Sequence, residues 1–139
     1  MSKHFGLVVP YGSSFKQGAC NVDGVSGFDL LFQRNGTPSD DLYSFEAMND
    51  PRINRQPRTL SKTGSFSRCK SAQGVHDLVG NVAEWIDDPD GTFRGGFYLS
   101  HAGQGSSSRR GEGCNDGVIA HSKSYRDYST GFRCCSSLR

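Results

Sequence analysis

The chain has 139 residues, with 16 Lys and Arg against 14 Asp and Glu for a formal charge of +2, so it has room for a single domain and no strong field to draw nucleic acid. Leu, Ile, Val and Phe make up roughly a fifth of it, near the floor for a packed globule, and that near-neutral balance excludes simple charge-driven disorder. No apolar run is long enough to cross a bilayer as a helix. With 18 glycines, nine Phe, five Tyr and one Trp, the expectation is a loop-rich fold with a small, largely aromatic core, stabilised by disulfides or metal ions as well as apolar burial.

In chain order, the opening MSKHFGLVV is too short and too polar for a signal peptide: either the mature form starts here or the chain stays inside. Residues 5–36 read as a short apolar strand, GLVV, a turn at Pro10-Tyr11-Gly12, and a glycine-rich loop through CNVDGVSG. Residues 37–73 hold Pro38, Pro51 and Pro57 and read mostly as loop; the helical signal there is DDLYSFEAMND at 40–50, with acids at its start. Three β-like segments follow, NVAEWID, TFRGGFYLS and STGFRCCSS, separated by Gly, Ser and Asn clusters. GQGSSSRRGEG at 103–113 reads as an exposed flexible loop. Trp85 reads as the core's largest aromatic with its indole N–H bonded, and Arg94 and Arg133 as ion-pair partners rather than substrate clamps.

The five cysteines, Cys20, Cys69, Cys114, Cys134 and Cys135, contain no Cys-x-x-Cys pair, which removes the common zinc and thioredoxin spacings. Disulfides are the expected use, and they point to an extracytoplasmic or secreted setting; small buried thiols in a cytoplasmic protein are the alternative. Cys134 and Cys135 are adjacent on an expected strand, so their side chains face opposite ways and one at most reaches Cys114. The expected bridges are Cys114 to this pair and Cys20 to Cys69. There is no Gly-x-Ser-x-Gly elbow, no phosphate-cradling loop and no His-Glu-x-x-His. His101, His121 and Cys114 could in principle meet at a metal, but read more simply as three separate residues.

GVHDLVGNVAEW at 74–85, RGGFY at 94–98 and TGFRCC at 130–135, in that order, resemble the C-terminal half of the formylglycine-generating enzyme family, also called the sulfatase-modifying factor family. VVPYG with CNVDG looks like a further family region, while residues 37–68 diverge. The resemblance implies one truncated domain over 1–139, strongest over 74–135. It implies an irregular α+β fold grouped with C-type-lectin-like folds, with short antiparallel strands and with calcium standing in for regular structure. Carried over residue by residue, the calcium ligands would be the Asp77 and Glu84 carboxylates with the Gly80 and Val82 carbonyls. Hard oxygens and a glycine turn suit that ion. Asn21 and Val22 resemble part of a second calcium site.

The family's catalysis needs two cysteines after the Arg-Gly-Gly strand, five apart, that bind copper, for which soft thiolates are required. In register those positions are Ser100 and about Gly105; Phe97 replaces a usual serine and Ala83 a usual tryptophan, while Cys114 matches a structural cysteine. No copper is therefore expected. The family's N-terminal half also has no counterpart, so the resemblance leaves a shortened domain, a fragment, or a subunit completed by another chain or by a homo-oligomer as the alternatives. The functional expectation is a non-catalytic, calcium-stabilised binding module that displays the loop 98–113 to a protein or small-molecule ligand through Tyr98, Ser100, His101, Gln104, Arg109 and Arg110, with neither nucleic acid nor membrane as a target. The rivals are a truncated oxidase subunit for sulfatase maturation, completed by a partner chain, and an architectural subunit of a larger assembly.

Overall fold

The computed structural model describes residues 9–33, 36, 41–100, 109–110, 114, 117–119 and 121–135. Helix α1 (Gly27–Phe32) starts where Ser26 Oγ accepts the backbone N–H of Asp29 at 3.1 Å, an N-cap that satisfies one of the helix's unpaired donors. Phe28 and Phe32, four residues apart, then share a face, with ring centroids 4.9 Å apart. That face packs on Ile53, fully buried in a 3₁₀ turn at Ile53–Arg55. The approach is close enough that a Cβ on Gly27 would overlap the Ile53 carbonyl. This helix departs from the loop expected over 20–36: the glycines masked a Ser-x-x-Asp start. Helix α2 (Phe45–Met48), capped by Ser44 Oγ on the Ala47 N–H at 3.2 Å, lies inside the stretch expected to be helical.

Five short strands make one sheet, β1 (Ala83–Trp85), β2 (Phe93–Arg94), β3 (Arg109–Arg110), β4 (Gly117–Val118) and β5 (Thr130–Gly131), in the order β3-β4-β2-β1-β5. All neighbours are antiparallel except β1 and β5, which run parallel. The class is therefore α+β, and the sheet is mixed where a purely antiparallel one was expected. β1 lies at the centre of one expected strand, while β2 and β5 cover only the starts of the other two. β3 lies inside the stretch read as flexible loop, and β4 had no sequence signal: Gly-Val is too short to show alternation.

The core has two centres. One holds Cys20, Val22, Cys69 and Val79, with Tyr11, Phe66 and Cys114 against it. The other holds Phe28, Phe32 and Ile53, joined by Met48 and Tyr128 among others. The segment leading into β5 is pinned to the second centre by Tyr128 N–H donating to the Met48 carbonyl at 2.9 Å and Asn54 Nδ2 to the Tyr128 carbonyl at 2.8 Å. Cys20 and Cys69 are disulfide-bonded, as expected, closing 49 residues. A disulfide is compatible with an extracytoplasmic location, and no described helix is long and apolar enough to cross a membrane.

The bridge expected from Cys114 to Cys134 or Cys135 is not formed; all three are free. β5 ends at Gly131, which leaves Cys134 and Cys135 exposed beyond it, while Cys114 leans on the first centre and burial pushes its thiol pKa up. Trp85 also departs from expectation. It lies half-buried on the sheet, edge-on to Phe93 at 5.1 Å, and among the described residues the largest fully buried side chain is Tyr98.

Candidate functional site

The 74–85 segment acquires its shape from two residues in the left-handed region, Asp77 (φ 58°) and Asn81 (φ 67°), with Gly80 (φ 77°) between them. Asn and Asp tolerate that region better than most residues. At Gly80 a side chain is also excluded by space, since a Cβ would overlap the Asn21 carbonyl.

Asn81 is the hub. Its Oδ1 accepts from Asn21 Nδ2 at 3.0 Å and from the Ser61 N–H at 2.9 Å, and its Nδ2 donates to the Ser61 carbonyl at 3.1 Å. Its backbone N–H donates to the Asn21 carbonyl at 2.8 Å, and its carbonyl accepts from the Tyr98 N–H at 3.1 Å. Asn21 Nδ2 reaches the Thr59 carbonyl as well, at 2.9 Å. Both side chains are buried, so four distant stretches of chain are joined by satisfied polar groups. Asn21 is thus committed to this network and Val22 to the apolar core, which is where the structure places the residues expected at a second calcium site. Asn81 carried no functional expectation; the signal available was an Asn directly after a glycine at the start of an expected strand.

Asp77, Val82 and Glu84 do come together. With Thr63, Asn81, Phe132 and Arg133 they line a cavity of about 200 Å³. Gly80 is drawn instead into the backbone, its N–H donating to the Gly95 carbonyl at 2.8 Å. Asp77 is 7 % exposed, and its Oδ2 accepts the Gly64 N–H at 2.8 Å. Glu84 sits on β1 opposite Arg94 of β2 and is flanked on the other side by β5. Two residues past β5, Arg133 turns its guanidinium onto Glu84 in a two-pronged ion pair, Nε to Oε2 and the terminal nitrogen to Oε1. The same guanidinium donates to the His76 carbonyl at 3.2 Å and to the Asp77 carbonyl at 3.5 Å. Hydrogen bonding to Glu84 raises the Arg133 pKa further above its usual value, with the charges of Glu84 and Asp77 adding to it.

The fit to calcium follows from these donors. Calcium wants six to eight oxygens, and the carboxylates and carbonyls around this cavity are of the right type. Both oxygens of Glu84, however, face a fixed positive charge, so the carboxylate does not fit a calcium ion while Arg133 is in place. Among the described residues no cluster of three or more His, Cys, Asp or Glu side chains is placed to hold a metal. His121, considered with His101 and Cys114, stacks instead on Tyr125, with centroids 3.8 Å apart.

Of the expected recognition residues, His101 and Gln104 lie outside the described residues, as does Gly105, and only the backbone of Arg109 and Arg110 is described, in β3. Tyr98 and Ser100 are corrections. Tyr98 is 0 % exposed and Ser100 8 %, so neither can serve as an open contact residue. Backbone bonds hold Tyr98 on both sides, its N–H to Asn81 and its carbonyl to the Gly24 N–H at 2.7 Å. Ser100 closes a tight turn: its Oγ accepts the Phe97 N–H at 2.7 Å and its own N–H donates to the Phe97 carbonyl at 2.9 Å. Comparison of the chain with models of protein families, with curated proteins and with solved structures gives no match.

Proposed function

We propose that the chain is a non-catalytic binding module with a formylglycine-generating-enzyme-like, C-type-lectin-like arrangement, in which a cation at Glu84 stiffens the 74–85 segment and the loop 98–113 carries recognition. The observation that carries this reading is Ser100. The position where the enzymes of the resembled family need a thiolate holds a buried hydroxyl that caps its own turn, and a hydroxyl has neither the softness for copper nor, here, an open face. In sequence, 101–108 lies between the buried Tyr98–Ser100 turn and β3, which pairs with β4. A loop carried by a rigid scaffold is a suitable carrier for contact residues. His101, Gln104, Arg109 and Arg110 carry the contact role in this reading, Tyr98 and Ser100 the anchoring one, and the disulfide fits an extracytoplasmic setting.

The test is twofold. Purified chain supplied with copper and a cysteine peptide should form no aldehyde; aldehyde that persists after contaminating enzymes are removed defeats the reading. In a glycan and peptide array screen, His101→Ala, Gln104→Ala or Arg109→Ala should weaken any hit by at least about 1 kcal/mol, the scale of interface hot spots, at unchanged melting temperature. A second reading, a subunit completed by another chain, is favoured by Tyr43 and Phe132, 80 % and 77 % exposed. Those aromatics suit a covered surface better than open water.

A further inference from the structure

We infer that the Arg133 guanidinium is itself the resident cation of the 76–84 loop, filling an all-oxygen cage that would otherwise call for a divalent metal ion. The inference deepens the proposed reading, since it identifies the cation that stiffens the 74–85 anchor, but its test is independent of what the loop binds.

The contacts make the case. Every hydrogen bond of the guanidinium ends on oxygen: both carboxylate oxygens of Glu84 and the carbonyls of His76 and Asp77. One side chain thus ties the start of the loop, at 76–77, to its end on β1, from a position just past β5 and 49 residues beyond Glu84. Carbonyls directed at a point charge together with a two-oxygen carboxylate are what a calcium loop offers its ion. The planar fork of arginine satisfies the same acceptor oxygens with directed bonds, which the single ammonium of lysine cannot do.

Burial and charge agree. The Glu84 side chain is 19 % exposed and that of Arg133 35 %, so the pair is shielded more than an ordinary surface pair and is screened less by salt. The charged and titratable groups coupled to Arg133 are Glu84, Asp77 and Cys135, all acids that favour its cationic form. A calcium ion at Glu84 would add two positive charges beside the guanidinium that already holds both of its carboxylate oxygens. The loop's shape also gains from a clip: Asp77, near its start, and Asn81, within it, both hold left-handed backbone, which Asp and Asn tolerate better than most residues without preferring it.

The experiment compares wild type, Arg133→Met, Arg133→Lys and Glu84→Gln by melting temperature, in chelator and in millimolar calcium, and by terbium luminescence. The single tryptophan, Trp85, follows Glu84 directly and serves as the sensitiser for any lanthanide bound at that carboxylate. Wild type should melt at the same temperature with chelator or calcium and give no terbium signal. Arg133→Met and Glu84→Gln should each lower the melting temperature by about 5 °C, and Arg133→Lys should fall between Met and wild type. Arg133→Met, with the cage vacated, should gain terbium luminescence and a calcium-dependent rise in melting temperature. A wild-type protein that chelator destabilises, or that binds terbium at micromolar concentration, overturns the inference in favour of a metal. An unchanged melting temperature in Glu84→Gln overturns it too, and that variant keeps the side-chain shape if Arg133→Met fails to fold. Loop binding and aldehyde formation are measured with Arg133 in place, so failure there leaves this result standing, and the reverse also holds.

Discussion

Replacing Tyr98 by phenylalanine should stabilise the protein. Tyr98 is 0 % exposed, stacks edge-on to Phe97 at 5.2 Å and tilts against Tyr128 at 6.5 Å, yet its hydroxyl has no hydrogen-bond partner among the described residues. A buried hydroxyl without a partner forfeits its bonds to water, a cost of about 1–3 kcal/mol. Phenylalanine keeps the ring and its contacts and removes that cost. The expected gain is about 1 kcal/mol, or about 3–5 °C in melting temperature for a chain of this size. Tyr98→Ala acts in the opposite direction: deleting a buried aromatic from this cluster should cost about 3–5 kcal/mol. Urea unfolding of the three proteins, compared at constant m-value, separates the terms. A loss of 1 kcal/mol or more in Tyr98→Phe would show that the hydroxyl is bonded and would refute the reasoning. The pair also tests the placement of Tyr98, because a surface anchor would lose little stability in either variant.

Opening the Cys20–Cys69 bridge by a double alanine substitution frees a loop with a sequence separation of 49; the chain-entropy relation gives about 4 kcal/mol, which denaturant curves with and without reductant can check. Asn81→Ala should cost about 2–4 kcal/mol in the same assay, since it strands the Ser61 amide and carbonyl together with part of the Asn21 amide. Alkaline pH should destabilise the fold. Burial, then the nearby Asp127 carboxylate, pushes Tyr128 up to about 12, and burial moves Tyr98 in the same direction; the unfolded chain, with tyrosines near 10, then releases protons first. The contribution is whole below about pH 10 and is lost as pH rises toward 12. Tyr128→Phe should flatten that fall in a melting series across the range.

The parts of the fold legible in the sequence were those marked by apolar residues at a recognisable spacing. Ala83–Trp85, Phe93–Arg94 and Thr130–Gly131 lie inside segments where bulky and polar residues alternate, and Ser44 precedes a stretch with acids at its start. β4 is two residues long, and β3 consists of two arginines in a glycine- and serine-rich stretch; neither is long enough to set a period. Their pairing is decided by what lies beside them in space, which no local pattern encodes. The candidate site shows the same division. Asp77, Val82 and Glu84 were expected together and share a cavity, but the ion-pair partner of Glu84 comes from a residue 49 positions away. Arg133 was expected in an ion pair; its reach back to the His76 and Asp77 carbonyls was not legible, because it depends on β5 running parallel to β1. Tyr98 was misread because glycines upstream and polar residues downstream make its neighbourhood resemble a loop, whereas its own backbone is bonded on both sides.

Three different chemistries hold the irregular segment between 74 and 85. The disulfide fixes Cys69, whose carbonyl accepts the Asp77 N–H at 3.0 Å; the amide hub fixes Asn81; the guanidinium fixes Glu84. Each acts at a defined point, so the segment needs no periodic apolar face and can stay as short as the sheet requires. A network of this kind is exacting at its nodes, because every buried polar atom must keep its partner. It is permissive elsewhere. The Asn81 carbonyl takes the Tyr98 N–H, the Tyr98 carbonyl takes the Gly24 N–H, and Ser100 Oγ takes the Phe97 N–H, so backbone bonds, a buried ring and a hydroxyl meet at the base of the loop that follows.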